Sequence, residues 1–143
     1  MAAALALAAG LAGSVQAAVM GRFGERIGTL EALAWATLLS VVIAFAALLA
    51  TRRGVGGLSD AWAAPKWLWA GAALGTFIVF TITVTSPRIG TTATIALLVA
   101  GQLAMGAVID RYGLFGFERI AFTWPRVLGI ALLAAGAALT LKR

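Results

Sequence analysis

Long runs of apolar residues, interrupted by single or paired charges, dominate this 143-residue sequence. The charges separate five such runs, and four of them hold roughly 19 to 21 uncharged residues, enough for a helix to cross a bilayer. The runs lack the polar alternation of barrel strands, and lipid offers backbone groups no outside partner. The pattern therefore predicts five transmembrane helices, over about residues 2–20, 30–51, 67–86, 91–109 and 125–141 in one domain.

The fifth run is the shortest, with 15 uncharged residues between Arg126 and Lys142. At 1.5 Å per residue it spans about 22 Å, against about 30 Å of hydrocarbon. The aliphatic stems of the flanking Arg126, Lys142 and Arg143 can extend towards the headgroups and cover the difference. We therefore predict that this run also spans the membrane.

The connections between the runs carry further signals. Pro87, in the stretch SPRIG at residues 86–90, predicts a tight connection that turns the third helix into the fourth. Asp110 beside Arg111 predicts a solvated charge pair that ends the fourth helix. Three tryptophans cluster where the second loop meets the third run, as is typical of a membrane interface; they are Trp62, Trp67 and Trp69.

Composition excludes several classes of protein. The charged fraction is 11%, whereas soluble domains carry about 25%, so a soluble enzyme is excluded. Without cysteine or histidine, the chain has no thiolate or imidazole ligand and no Ser-His-Asp triad. The net charge of +6 is spread between the apolar runs, which favours contact with a lipid bilayer over nucleic acid. The sequence predicts no enzyme activity, no cofactor and no metal site.

The basic residues are almost evenly divided between the two sides of the membrane. Five spans place six of the 11 Lys and Arg residues on the side of the N-terminus and five on the other. Basic residues in short loops set orientation, so this near balance leaves two interpretations open. Either a few dominant charges or a partner orient the chain, or the same chain inserts both ways and pairs antiparallel.

The first run admits a second interpretation as a signal peptide. Residues 15–17, Val-Gln-Ala, resemble a cleavage site with small residues. No Lys or Arg precedes the apolar run, however, which is unlike a signal peptide. We therefore favour a retained first helix.

Two stretches resemble a known family. Residues 87–103 (PRIGTTATIALLVAGQL) and 109–116 (IDRYGLFG) are similar to the five-helix YdcZ-type inner-membrane exporters of the drug/metabolite transporter superfamily. Weaker similarity, which includes Gln16 in the first run, covers nearly the whole chain. Ala17 and Ala18 stand where the family often has an asparagine.

This resemblance implies a fold and a function. Members of the superfamily have ten helices in two inverted halves, so a five-helix chain is expected to be one half. It would pair as a homodimer, antiparallel in the dual-topology case, or as a heterodimer with a sister chain. The implied function is export of a small organic molecule, often in exchange for protons. Helix one here lacks the acid that related small multidrug exporters use for proton coupling.

Few polar residues lie within the spans, and these are the candidates for substrate binding. They are Gln16, Gln102, Thr91 and Thr94, of which the last three share one helix face by their spacing. Hydrogen bonding between helices is the structural alternative for the glutamines, and helix capping is that for Thr91. Glu31 is the candidate for proton coupling, and its alternative role is to face the helix dipole.

Two functions fit these features. The first is a secondary active exporter that works by alternating access at a subunit interface. The second is a membrane subunit that transports nothing and scaffolds or regulates a partner protein. A polar-lined cavity would favour the exporter, and a tightly packed interior would favour the scaffold.

Dual topology makes the first testable prediction. Reporters fused to the C-terminus, one active only in the cytoplasm and one only outside, should both give signals, because the basic residues are nearly balanced. A signal from one reporter alone would contradict insertion in both orientations.

Overall fold

The computed structural model describes residues 1–52, 56–121 and 123–141 and is all-α over these ranges. Short 3-10 turns, Lys66–Trp69 and Leu114–Gly116, precede α4 and follow α5. The helices are α1 (Ala2–Ile27), α2 (Thr29–Arg52), α3 (Leu58–Ala63), α4 (Ala70–Ile89), α5 (Thr91–Tyr112) and α6 (Trp124–Leu139).

Within the described ranges, four helical stretches are long and apolar enough to cross a membrane. They are Ala2–Ile27, Thr29–Thr51, Lys66–Ile89 and Thr91–Tyr112. The fifth apolar helix, α6, is shorter at 16 residues. Large apolar side chains are exposed along these helices, as lipid-facing residues should be. The predicted class, an all-α membrane protein of about five helices, is confirmed.

Helix α1 extends to Ile27, beyond the predicted end near residue 20. The added turns carry Arg22 and Glu25, whose side chains form an exposed ion pair at 3.1 Å. Residues three apart are neighbours on a helix surface, so this pair supports the helix after the apolar run ends. Run length alone therefore underestimates the length of α1.

Pro87 lies inside α4, so the predicted tight connection is confined to Gly90 and does not extend over residues 86–90. Proline removes one backbone hydrogen bond, but α4 ends two residues later at Ile89, so little of the helix is disrupted. The turn is concentrated at Gly90, whose φ of 88° favours glycine. The Ser86 and Thr91 hydroxyls, 2.9 Å apart, hydrogen-bond across this turn.

The chain forms two compact units, residues 1–16 with 85–143 and residues 17–84. In the second unit, small side chains allow α1 and α4 to approach closely. A Cβ at Gly24 would lie 2.6 Å from Thr83 Cγ2. Thr83 is buried, and its hydroxyl donates to the Val79 carbonyl at 2.8 Å.

The second unit also contains the tryptophan cluster. The rings of Trp62 and Trp69 meet edge to face, with their centroids 5.1 Å apart. The Trp69 indole N–H donates to the Ala61 carbonyl at 3.2 Å. Trp62 is largely exposed and Trp69 partly exposed, which suits residues at a membrane interface.

The close approach at Gly24 predicts a specific loss of stability. Gly24→Ala should destabilise the protein by about 1–3 kcal/mol, because the new methyl group collides with Thr83 Cγ2. The measurement is the free energy of unfolding in detergent. In the matched control, Gly13→Ala, the new Cβ would meet no described atom within 4 Å, and no loss is expected.

A second substitution tests the mechanism of this loss. Thr83→Ser removes Cγ2 and retains the hydroxyl. A double variant that combines it with Gly24→Ala should therefore regain most of the stability that Gly24→Ala alone loses. Equal stability of the Gly24→Ala and Gly13→Ala variants would refute the close approach of α1 and α4.

Candidate substrate grooves

Two grooves run between α5 and α6 within the first unit. The two helices pack through small side chains, and Ala107 of α5 and Ala137 of α6 are both buried. Small residues allow helix backbones to approach in lipid, where no hydrophobic force drives helices together. Two grooves border this packing.

The hydroxyl groove has a volume of about 420 Å³ and lies near the start of α5. Its polar residues are Ser14 of α1 with Thr91 and Thr92 of α5. Apolar and small residues of α5 and α6 form the remaining walls; these are Ile95, Ala96, Val99, Leu132, Leu133, Gly136 and Ala137. The groove is therefore apolar in the middle and polar at one end.

The ion-pair groove has a volume of about 450 Å³ and lies along the second half of α5. Gln102, Asp110 and Arg126 supply its polar groups. Its other walls are Leu103, Gly106, Ala107, Gly129, Ile130 and Leu133, so Leu133 borders both grooves. Both volumes fall in the range of about 300–1,000 Å³ that is typical of small-molecule sites.

Asp110 and Arg126 form a salt bridge between α5 and α6. The side chains are 26% and 35% exposed, respectively, so a ligand in the groove can reach both. The predicted solvated pair of Asp110 with Arg111 is wrong, because the Asp110 carboxylate is bonded to the start of α6. Sequence neighbours on a helix point in different directions, whereas the cross-helix partner faces the acid.

The loop after α5 positions Arg126. Gly113, with φ of 63°, ends α5 in the left-handed conformation. A Cβ there would lie 2.8 Å from Arg119 Cγ, so the loop packs directly on this turn. The Ile120 N–H then donates to the Asp110 carbonyl at 2.8 Å. These contacts return the chain to α5 shortly before α6 begins.

Two of the predicted substrate residues line a groove. Thr91 contributes to the hydroxyl groove, and Gln102 to the ion-pair groove near the middle of α5. Thr94 shares neither lining, although it is buried, and its hydroxyl has no hydrogen-bond partner among the described residues. Gln16 is exposed and is likewise absent from both linings as described.

The proton-coupling candidate Glu31 belongs to the second unit. It lies in the first turn of α2 and is exposed. A Cβ at Gly28 would collide with its carboxylate, so the acid folds back over the start of its own helix. This position fits the dipole-facing alternative as well as proton coupling.

Ser14 and Arg126 are groove residues that the sequence did not single out. Ser14 gave no functional signal in the sequence, because a hydroxyl within a helix commonly donates to the carbonyl four residues earlier. Ser14 does so to the Gly10 carbonyl at 3.2 Å. Arg126 looked like a residue that flanks a span. The sequence did contain one signal for this pair: Asp110 lies near the end of one predicted helix, and Arg126 lies at the start of the next.

The glycines of α4 and α6 make no close contact with another described helix. Gly71 and Gly75 form a GxxxG pattern, and Gly129 and Gly136 lie on α6. At each of them, a Cβ would meet no described atom within 4 Å. Gly71 and Gly75 are therefore open surface of α4, whereas Gly129 and Gly136 border the two grooves.

Apolar spanning helices and grooves with polar ends define a multi-pass integral membrane protein. Residues 1–139 match the family described as "Putative inner membrane exporter, YdcZ", and the chain belongs to this family. It is 30% identical over 139 residues to "Inner membrane protein YdcZ" of Escherichia coli (strain K12). The alignment covers 96% of this chain and 92% of that protein. No solved structure matches the chain significantly.

These findings confirm the predicted family and its location in the inner membrane. They also support a transporter role, because the family is one of exporters and not of enzymes.

Proposed function

We propose that this chain is one half of a secondary active transporter that exports a small organic molecule across the inner membrane by alternating access. The observation that carries the proposal is the ion-pair groove, which brings Gln102 and a charged pair to one apolar cavity. Polar groups are costly in hydrocarbon, and their convergence on a cavity is typical of a substrate pathway. Membership of an exporter family supports the same function.

The grooves favour transport over a scaffolding role. A scaffold needs a filled interior, whereas α5 and α6 leave two open volumes of about 420 and 450 Å³ beside their contact. The polar ends and apolar walls of these volumes suit a small amphipathic ligand.

A dimer is the second part of the proposal. Gly71 and Gly75 of α4 expose backbone that another helix can approach, because a Cβ at either position would meet no other described part of the chain within 4 Å. Pairing two copies in opposite orientations would create the inverted repeat that alternating access requires. The nearly equal division of basic residues between the two sides supports antiparallel pairing.

The four predicted substrate residues receive two kinds of role. Gln102 and Thr91 would contact the substrate in the grooves that they line. Gln16, exposed on α1, would face the pathway from the subunit interface. Thr94 would offer its unpartnered hydroxyl after a helix movement, because it lines neither groove in this conformation.

Proteoliposomes test the transport function through Gln102. The purified chain should move at least one solute from a screen of cations, sugars and metabolites, and Gln102→Leu should reduce the rate about tenfold or more by removing the amide. Met105→Leu is the control, because Met105 is exposed and lies outside both groove linings. If the Gln102→Leu variant still assembles and its transport rate is unchanged, Gln102 is not part of the substrate pathway.

Glu31→Gln tests proton coupling. If Glu31 carries the exchanged proton, the variant should lose the dependence of transport on a pH gradient, because an amide cannot bind and release a proton. The measurement is the transport rate across a pH series. A profile equal to that of the unmodified protein would assign Glu31 to the helix start alone.

A further inference from the structure

The Asp110–Arg126 ion pair differs from the Arg22–Glu25 ion pair. The Arg22–Glu25 pair lies within α1 and is exposed. Asp110 and Arg126 join two helices, are each about two-thirds or more buried, and line a cavity. A charge pair in this setting exposes one anion and one cation to the same ligand.

We propose that the ion-pair groove binds a small zwitterion that carries an ammonium group and a carboxylate. The ammonium group would pair with the Asp110 carboxylate, and the carboxylate would pair with the Arg126 guanidinium, which presents a fork of donors. The ligand would thus enter between two residues that hold each other in its absence. This proposal specifies the substrate class of the exporter and rests on the proposed function only for the statement that the ligand is carried.

Charge balance selects a zwitterion over a simple ion. A carboxylate alone would take Arg126 and leave Asp110 without its partner in a partly desolvated groove. A cation alone would take Asp110 and leave Arg126 in the same condition. An uncompensated charge is costly to leave in such a site, whereas a zwitterion satisfies both residues and adds no net charge.

The remaining walls of the groove indicate the size and polarity of the ligand. They combine aliphatic side chains with small residues, which leaves room for a compact apolar group. Gln102 lies eight residues before Asp110 on α5, about 12 Å along the helix axis. Its amide can bond to a polar group at the far end of a longer ligand, but a short ligand would not reach it.

Binding in lipid nanodiscs tests this site independently of transport. The probes are glycine, L-alanine and L-leucine, together with isocaproate and isoamylamine, which lack the amino and the carboxyl group of leucine, respectively. At least one zwitterion should bind saturably, and leucine should bind about tenfold or more tightly than either analogue if it is the one that binds. No binding by any zwitterion, or equal binding of leucine and an analogue, would overturn the proposal.

Variants then locate the site. Asp110→Asn and Arg126→Gln should each weaken zwitterion binding about tenfold or more. Arg22→Gln, which breaks the exposed pair in α1, is the matched control and should leave binding unchanged. Unchanged affinity in folded Asp110→Asn and Arg126→Gln variants would make the pair a structural clamp and refute the site. If these variants do not fold, the comparison of the probes on the unmodified chain decides.

The proposed binding site and the proposed transport function can be rejected independently of each other. Zwitterion binding without movement of any solute in proteoliposomes would support the site and reject the exporter. Transport of another solute, with no zwitterion bound, would support the exporter and reject this site.

Discussion

The hydrocarbon of the bilayer supplies no hydrogen-bond partners, and this constraint shapes the whole chain. It accounts for the helices, which satisfy their own backbone groups, and for the local hydrogen bonds of the hydroxyl side chains. Thr37, Ser40 and Thr76 each donate to a carbonyl of the preceding turn. Polar groups that do not bond within their own helix in this way are therefore the candidates for a functional role.

The α5–α6 region concentrates such exceptions. Asp110 and Arg126 bond between helices rather than along one. Ser86 and Thr91 bond to each other across the turn at Gly90. Because these groups lie beside cavities or turns, the proposed function gives them two tasks: to connect helices and to contact a substrate. An exporter needs both properties, since its binding site must hold a solute and also rearrange.

The fold class could be predicted because run length and hydropathy are local properties of the chain. Helix ends were less predictable, since α1 continues through charged residues that pair along its surface and α4 accommodates Pro87 in its last turn. Gln102 could be identified as a groove residue because amides are rare within spans. The partner of Asp110 could not, because it depends on how the loop through Gly113 and Ile120 returns the chain to α5.

Leu133 is the one wall residue shared by the two grooves. Its side chain therefore borders both the hydroxyl groove and the ion-pair groove. Rotation about a side-chain bond is a far smaller movement than the separation of two helices. A change of rotamer in this single isobutyl group would consequently reshape both grooves at once.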